Sequence, residues 1–275
     1  MDEKSSELSI KFESESKTYK RIVMHDKIIW DNNAATYEEE VFNVYRNDKK
    51  GIIKKHLSEH ADSSKTIIDF GCGIGNALPL LSPLFGHITA VDISRKCIER
   101  AKLIAGNNVS FQVMDLALGK VDLPSTDFLI CCNVAISGNN KRNYRILANA
   151  LSTLNKNGTA LFVLPAFESM SLSAFALIDW YNKEGVKISD IPRSELVHFD
   201  SKYTKEMEEG IVYINETPTK HYRFPELFTL FHDSSFHIEA VEKVEYDWDT
   251  ELNAPPKWIK EPYPWDWMVE VKRVR

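Results

Sequence analysis

The segment Asp69-Phe70-Gly71-Cys72-Gly73-Ile74-Gly75-Asn76 follows a short apolar run, Thr66 to Phe70, and precedes a stretch with helical spacing. Glycine at every second position permits a tight turn and lets a ligand lie against bare backbone. A turn of this kind between a strand and a helix points to an open α/β architecture, whose ligands bind beyond the carboxyl ends of the strands where strand order reverses. The rest of the sequence agrees. Ile88 to Asp92, Val109 to Met114, Asp127 to Asn133 and Thr159 to Leu164 are strand-like, and helical patterns over Asn76 to Leu84, Ser94 to Ala105 and Lys141 to Leu154 alternate with them. This order predicts a parallel sheet with helices on both faces. His237 to Trp248 and Met268 to Val274 read as a closing antiparallel pair.

Upstream, Thr36 followed by Glu39 has the spacing of a capping box, with Val41, Phe42, Val44 and Tyr45 as an apolar stripe, and Asp48 to Ala61 reads as a second helix. Downstream, Ser171 to Tyr181 and Pro225 to His232 read as helices, with a strand at Ile211 to Ile214. Residues 1–28 alternate charges and serines and are expected to be a mobile arm. Residues 29–275 are expected to form one domain, with 183–223 an inserted segment on the acceptor side of the site. Between the last two strands lies an aromatic connection containing Trp258, Tyr263, Trp265 and Trp267, expected to pack the strand pair.

Net charge narrows the partners. The 275 residues hold 34 Lys and Arg against 40 Asp and Glu, a net charge of −6, so the basic surplus that general nucleic-acid binding needs is missing. No nucleic-acid partner is expected. The charged start is unlike a signal peptide, and no apolar run reaches the roughly 20 residues of a membrane span. Four cysteines, Cys72, Cys97, Cys131 and Cys132, lack paired metal-ligand spacing. They are expected to be reduced, in a cytoplasmic protein with no metal. Cys131 and Cys132 are adjacent in a strand and should face opposite ways.

The glycine turn departs from the dinucleotide pattern, which would place its third glycine where Asn76 stands. Asp69, at the strand tip, suits an ammonium better than a pyrophosphate. Asp92 ends the next strand, 17 residues after Gly75, where a carboxylate can accept hydrogen bonds from both hydroxyls of a ribose. At the end of the third strand, Met114 can pack on adenine while Asp115 takes its exocyclic amine. These groups describe a ligand with adenine, ribose and an amino acid but no phosphate.

On these residues the chain resembles the class I S-adenosylmethionine-dependent methyltransferases, in order of elements from about Trp30 to the C-terminus. The resemblance implies a Rossmann-like, doubly wound, mostly parallel seven-stranded sheet with an antiparallel C-terminal strand, and S-adenosyl-L-methionine as cofactor. It implies that Asp69, Gly71, Gly73 and Gly75, with Cys72 and Asn76 in the same turn, line the methionine end, and that Asp92, beside Ile93, holds the ribose. Asn133 and Val134 fall where members contact cofactor and acceptor, and an aromatic of an N-terminal helical lid, Trp30 or Tyr37, would cover the cofactor. A nicotinamide-dependent dehydrogenase and a non-catalytic cofactor-binding protein remain the competing readings.

Residues after the fourth strand bear on the acceptor. Asn133-Val134-Ala135-Ile136 lacks the Asn-Pro-Pro-aromatic run of enzymes that methylate DNA bases and glutamine. A small organic acceptor with a nitrogen or oxygen nucleophile is expected, and a protein or peptide acceptor is the alternative. A hydroxyl or ammonium acceptor needs a base. His221 and Tyr222 are the preferred pair, with Glu168 and His198 as further candidates.

Overall fold

The structure is a computed structural model that describes residues 27–192, 207–214, 217–231 and 235–274. Most of the expected N-terminal arm and His198 lie outside these residues. Seven strands form one sheet: β1 (Asp62–Phe70), β2 (Phe85–Asp92), β3 (Val109–Val113), β4 (Thr126–Cys132), β5 (Leu154–Pro165), and, later in the chain, β8 (Phe236–Glu245) and β9 (Trp265–Arg273). Their order is β3-β2-β1-β4-β5-β9-β8. The first five pair in parallel, and β9 runs antiparallel between β5 and β8. The seven-stranded, Rossmann-like sheet is the one expected. Winding goes outward from β1 to β3 and then returns to β4 beside β1, so the switch point opens between the ends of β1 and β4.

Helices cover both faces because the central strands are apolar on both. On one side α4 (Ile52–Glu59), α5 (Leu78–Leu81) and α6 (Arg95–Ala101) bury Ile53, Leu57, Leu78, Leu81 and Ile98 against Ile67, Ile88 and Phe128. On the other, α7 (Asn140–Ser152) and α9 (Phe224–Phe231) bury Ile146, Leu147, Leu227 and Phe231 against Ile68, Leu129 and Phe162. Cys131 packs in the second of these layers and Cys132 borders the first, so neighbouring cysteines do face opposite ways. All four cysteines are free thiols.

Several boundaries differ from the sequence reading. Thr36 makes no side-chain cap, and the expected first helix is divided into α1 (27–33), α2 (Tyr37–Glu40) and α3 (Val44–Asn47), the last capped by Asn43 through the Arg46 N–H. α5 starts at Leu78, not Asn76, with Pro79 in its first turn, where a missing N–H is harmless. The Thr217–Lys220 segment, within the expected insertion, is strand β7, which pairs with β6 (Ile211–Ile214) in a two-stranded hairpin; Pro218 is tolerated because β7 is an edge. Trp265 and Trp267 belong to β9 itself. The rest of the aromatic connection packs through Trp248, Leu252 and Tyr263 onto Ala176 and Leu177 of α8 (Phe167–Lys183). No described helix is long and apolar enough to cross a membrane.

Candidate active site

The turn after β1 takes its shape from three left-handed glycines, with φ of 90° at Gly71, 52° at Gly73 and 91° at Gly75. At Gly71 an added Cβ would run into the Val134 side chain, and at Gly73 into the Tyr37 hydroxyl. The turn is therefore packed from above by the loop after β4 and by the N-terminal segment. Gly71 and Cys72 donate their N–H groups to the Val91 carbonyl, which binds the turn to the end of β2.

Asp92 closes the same loop from β2. Its Oδ2 accepts from the Gly73 N–H at 2.9 Å and its Oδ1 from the Ser94 N–H at 2.8 Å. A carboxylate has about four lone-pair sites, so the backbone N–H groups of Gly73, Ser94 and Ile93 do not use them all, and Asp92 lines the cavity. Burial pushes its carboxyl up to about 6 against the pull of those N–H groups. Asp69 lies behind it, buried, with Oδ2 lacking any hydrogen-bond partner; burial and the neighbouring Asp92 lift it to about 7. An orphaned carboxylate oxygen at this depth is what a cationic group would satisfy.

Asp115 is held differently from what its sequence position suggests. Arg142, in the first turn of α7, donates Nη2 to Oδ1 at 2.7 Å and Nη1 to Oδ2 at 3.1 Å, and the Ala117 N–H adds a third bond at 3.0 Å. That leaves about one lone-pair site. Asn139 caps α7 by accepting the Arg142 N–H.

These groups surround a cavity of about 530 Å³ at the switch point, within the size typical of small-molecule sites. Trp30, Tyr37, Gly71, Asp92 and Ile93 line it, as do Asp115, Asn133 and Val134. Cys72, Gly73, Gly75, Asn76, Asp69 and Met114 stand behind this wall; Met114 packs into the core below. Both candidate aromatics reach the cavity, their rings 6.4 Å apart. The segment carrying them is fastened to α6: Ser94 Oγ donates to Asp31 at 2.6 Å, and Arg100 donates to the Ala34 carbonyl and to Glu38.

A second cavity, of about 490 Å³, abuts the first. The two share Asn133 and Thr219. Asn133 stands just past β4 with φ of 52° and donates Nδ2 to Asp266 Oδ2 at 2.9 Å; Tyr246 donates to the same oxygen at 2.8 Å. The β6–β7 hairpin forms the other side of the partition. It is tied to the loop after β4 by the bridge between Ser137 and Thr219 and by the Lys220 N–H to the Ile136 carbonyl.

The candidate bases separate. His221 lines the second cavity, and its Nδ1 lies 3.3 Å from the Thr219 carbonyl. A carbonyl can only accept, so this contact puts the proton on Nδ1 and the acceptor lone pair on Nε2. Tyr222 points the other way: it is fully buried, and its hydroxyl donates to the Ala135 carbonyl. Glu168 opens α8 with one oxygen accepting from the Phe224 N–H at 2.8 Å and the other from Trp267 Nε1 at 3.1 Å. Neither Tyr222 nor Glu168 lines either of these two cavities, and the contacts of both are with the chain itself. Sequence reading missed Arg142, Glu251 and Asp266. The first reaches the site only through the fold, Asp266 is a buried acid that breaks the pattern of β9, and Glu251 lies in the connection before that strand.

Comparison with known proteins agrees with this geometry. A family described as a methyltransferase domain matches residues 37–201, more than half of the chain. An S-adenosylmethionine-dependent methyltransferase from Mesorhizobium loti superposes with a TM-score of 0.58 at 16% identity, over 84% of this chain and 100% of that one. One from Methanosarcina mazei gives 0.55 at 18% identity, over 80% and 97%. The N-methyltransferase NodS from Bradyrhizobium japonicum, solved with S-adenosyl-L-homocysteine, gives 0.54 at 9% identity, over 90% and 98%. No curated protein matches the sequence. The chain belongs to this methyltransferase family and is an enzyme of the class I, S-adenosylmethionine-dependent type.

Proposed function

We propose that the protein moves a methyl group by direct displacement from S-adenosylmethionine in the first cavity to a small organic acceptor, through nitrogen or oxygen, in the second. The observation that carries this is the junction of two neighbouring cavities at Asn133 and Thr219. The residues present fit the cofactor. Asp92 keeps lone-pair capacity for the ribose, Asp115 has one site for the adenine amine, and the orphaned oxygen of Asp69 favours a positive methionine end. When bound, the cofactor supplies a methyl carbon made electrophilic by a positively charged sulfur.

The chain's part is positioning and exclusion of water. Trp30 and Tyr37 close over the glycine turn, and the β6–β7 hairpin separates the cavities except at their shared wall. His221 lines the second cavity as the candidate acceptor of a proton from a hydroxyl or ammonium. The thiols and the absence of a spanning helix among the described residues accord with a cytoplasmic setting.

Calorimetry with S-adenosylhomocysteine, followed by mass spectrometry of a panel of amines, phenols, carboxylates and thiols after incubation with S-adenosylmethionine, tests this reading. Binding of the product nucleoside and a gain of one methyl on a panel compound are expected. A protein that binds the nucleoside but methylates only polypeptides would overturn the small-acceptor reading.

A further inference from the structure

The wall of the second cavity has an uneven chemical make-up. Its titratable lining residues among those described are Glu251, Asp266, His221 and Tyr246; no lysine or arginine lines it. Two carboxyl groups, the exposed Glu251 and the buried Asp266, therefore line a partly open cavity with no cation from the chain on its wall. Glu251 follows the 3-10 turn Trp248–Thr250 in the connection before β9, and Asp266 is the second residue of β9, at the sheet edge next to Pro165. Asp266 is tied to Asn133, which with Thr219 is common to both cavities.

A second observation is independent of the acids. Trp265 is 7% exposed and lines the same cavity with its aromatic ring. Its ring is already approached by an ammonium, Lys243 Nζ, 3.5 Å from the ring centroid. Tyr246 and Phe42 add further aromatic wall. Acidic groups among aromatic faces are the usual surroundings of an organic cation, and they repel an anion.

We infer that the acceptor is a small organic amine, held as its ammonium by Glu251 and Asp266 with its nitrogen directed toward Asn133; this deepens the methyltransferase reading and rests on it. One N–H proton passes to His221 Nε2. The freed lone pair forms the N–CH3 bond as the S–CH3 bond breaks, and that bonding pair stays on sulfur. Positive charge thus moves from sulfur to nitrogen, toward the two carboxylates, which stabilise the transition state more than the separated reactants. Packing around Glu251, although the residue is exposed, and the neighbouring Asp266 push its carboxyl upward, and a cationic partner would reverse that.

The test is calorimetry on the full chain saturated with S-adenosylhomocysteine, using two matched sets of probes: tyramine, tyrosol and 4-hydroxyphenylacetate, then putrescine, 1,4-butanediol and succinate. At least one amine is expected to bind at least about tenfold more tightly than the alcohol and carboxylate of its set. Glu251→Gln should weaken that amine by at least about tenfold, while S-adenosylhomocysteine affinity stays within about twofold. Equal or tighter binding of the carboxylates, no binding of either amine, or an unchanged amine affinity in Glu251→Gln overturns the inference while leaving the methyltransferase reading intact. Failure of the wild-type protein to bind S-adenosylhomocysteine overturns both.

Discussion

Arg142 grips both carboxylate oxygens of Asp115 on the wall of the first cavity, and both side chains are buried, at 6% and 5% exposure. Removing one member of such a pair leaves a buried charge without its partner, at a cost of about 3–5 kcal/mol. Arg142→Met is expected to lower the melting temperature and to weaken S-adenosylhomocysteine, because Asp115 loses its orientation. Arg142→Lys should restore part of the stability and little of the affinity, since an ammonium cannot span both oxygens. Melting curves and calorimetry on the two variants check this, and an Arg142→Met protein as stable as the wild type would sink it.

Asp92 has two tasks that one substitution cannot separate. It orders the glycine turn through the Gly73 N–H and presents lone pairs to the cavity. Asp92→Asn keeps one acceptor oxygen for the turn and should still weaken S-adenosylhomocysteine by at least about tenfold. Asp92→Ala should lose stability as well, because buried N–H groups lose their acceptor. Unchanged affinity in the asparagine variant would remove the ribose role.

Gly51 and Gly71 make a matched pair. Both have positive φ, 65° and 90°, but a Cβ on Gly51 meets nothing within 4 Å, whereas one on Gly71 collides with Val134. Gly51→Ala should cost about 1 kcal/mol of backbone strain and leave activity alone. Gly71→Ala carries the same strain and also displaces the loop that holds Asn133, so turnover should fall steeply. Similar activities for the two variants would contradict the close packing of that turn.

How much of this was legible depends on the distance over which each feature is encoded. The Asp69 to Gly75 turn and Asp92 are local, because a strand, a tight turn and a helix follow from neighbouring residues. The Arg142 clasp crosses 27 residues of chain and exists only once α7 is packed. β9 was read from Met268 although it begins at Trp265, because it is buried on both faces and hides Asp266 and Glu270 among apolar neighbours. Neither alternation nor an apolar run describes such a strand. The first helices were misplaced because the segment serves as a cover, fastened by Asp31, Ala34 and Glu38 to α6, and not by its own periodicity.

Glu270 in β9 joins α4 to the sheet, accepting from His56 Nδ1 at 2.6 Å and His60 Nε2 at 2.8 Å, while His56 Nε2 reaches Glu242 of the edge strand β8 at 2.8 Å. The Glu270 bond, with help from Glu242 and against burial, raises His56 above its ordinary 6.5. Burial alone would raise Glu270, but the two histidines outweigh it and hold the carboxyl near 2, below its ordinary 4.5. A raised histidine contributes fully below 6.5 and its contribution is lost as pH climbs through the higher folded value. A lowered carboxylate contributes above 4.5 and its contribution is lost as pH falls toward 2. Stability should therefore be greatest between these limits. In His56→Gln the alkaline decline should flatten, measured as melting temperature against pH; an unaltered slope would dismiss the cluster as its source.

His221 and Tyr222 are consecutive in extended backbone, so their side chains leave on opposite sides. The His221 N–H donates to the Gly210 carbonyl and the Tyr222 N–H to the Pro165 carbonyl, each at 2.7 Å, which fixes the pair between the hairpin and the main sheet. One side chain is thereby delivered to the second cavity and the other to the core. Tyr222→Phe should cost roughly 1–3 kcal/mol of stability, because the buried Ala135 carbonyl loses its donor, and should leave kcat near the wild-type value. His221→Ala should lower kcat by about 10²–10⁴ if it takes the acceptor's proton, with S-adenosylhomocysteine affinity held within about twofold. The rate should also lose its dependence on histidine ionisation, an effect that a merely structural histidine would not produce. Steady-state kinetics across pH on both variants, beside their melting temperatures, separates the two roles, and wild-type turnover in His221→Ala would remove it from the chemistry.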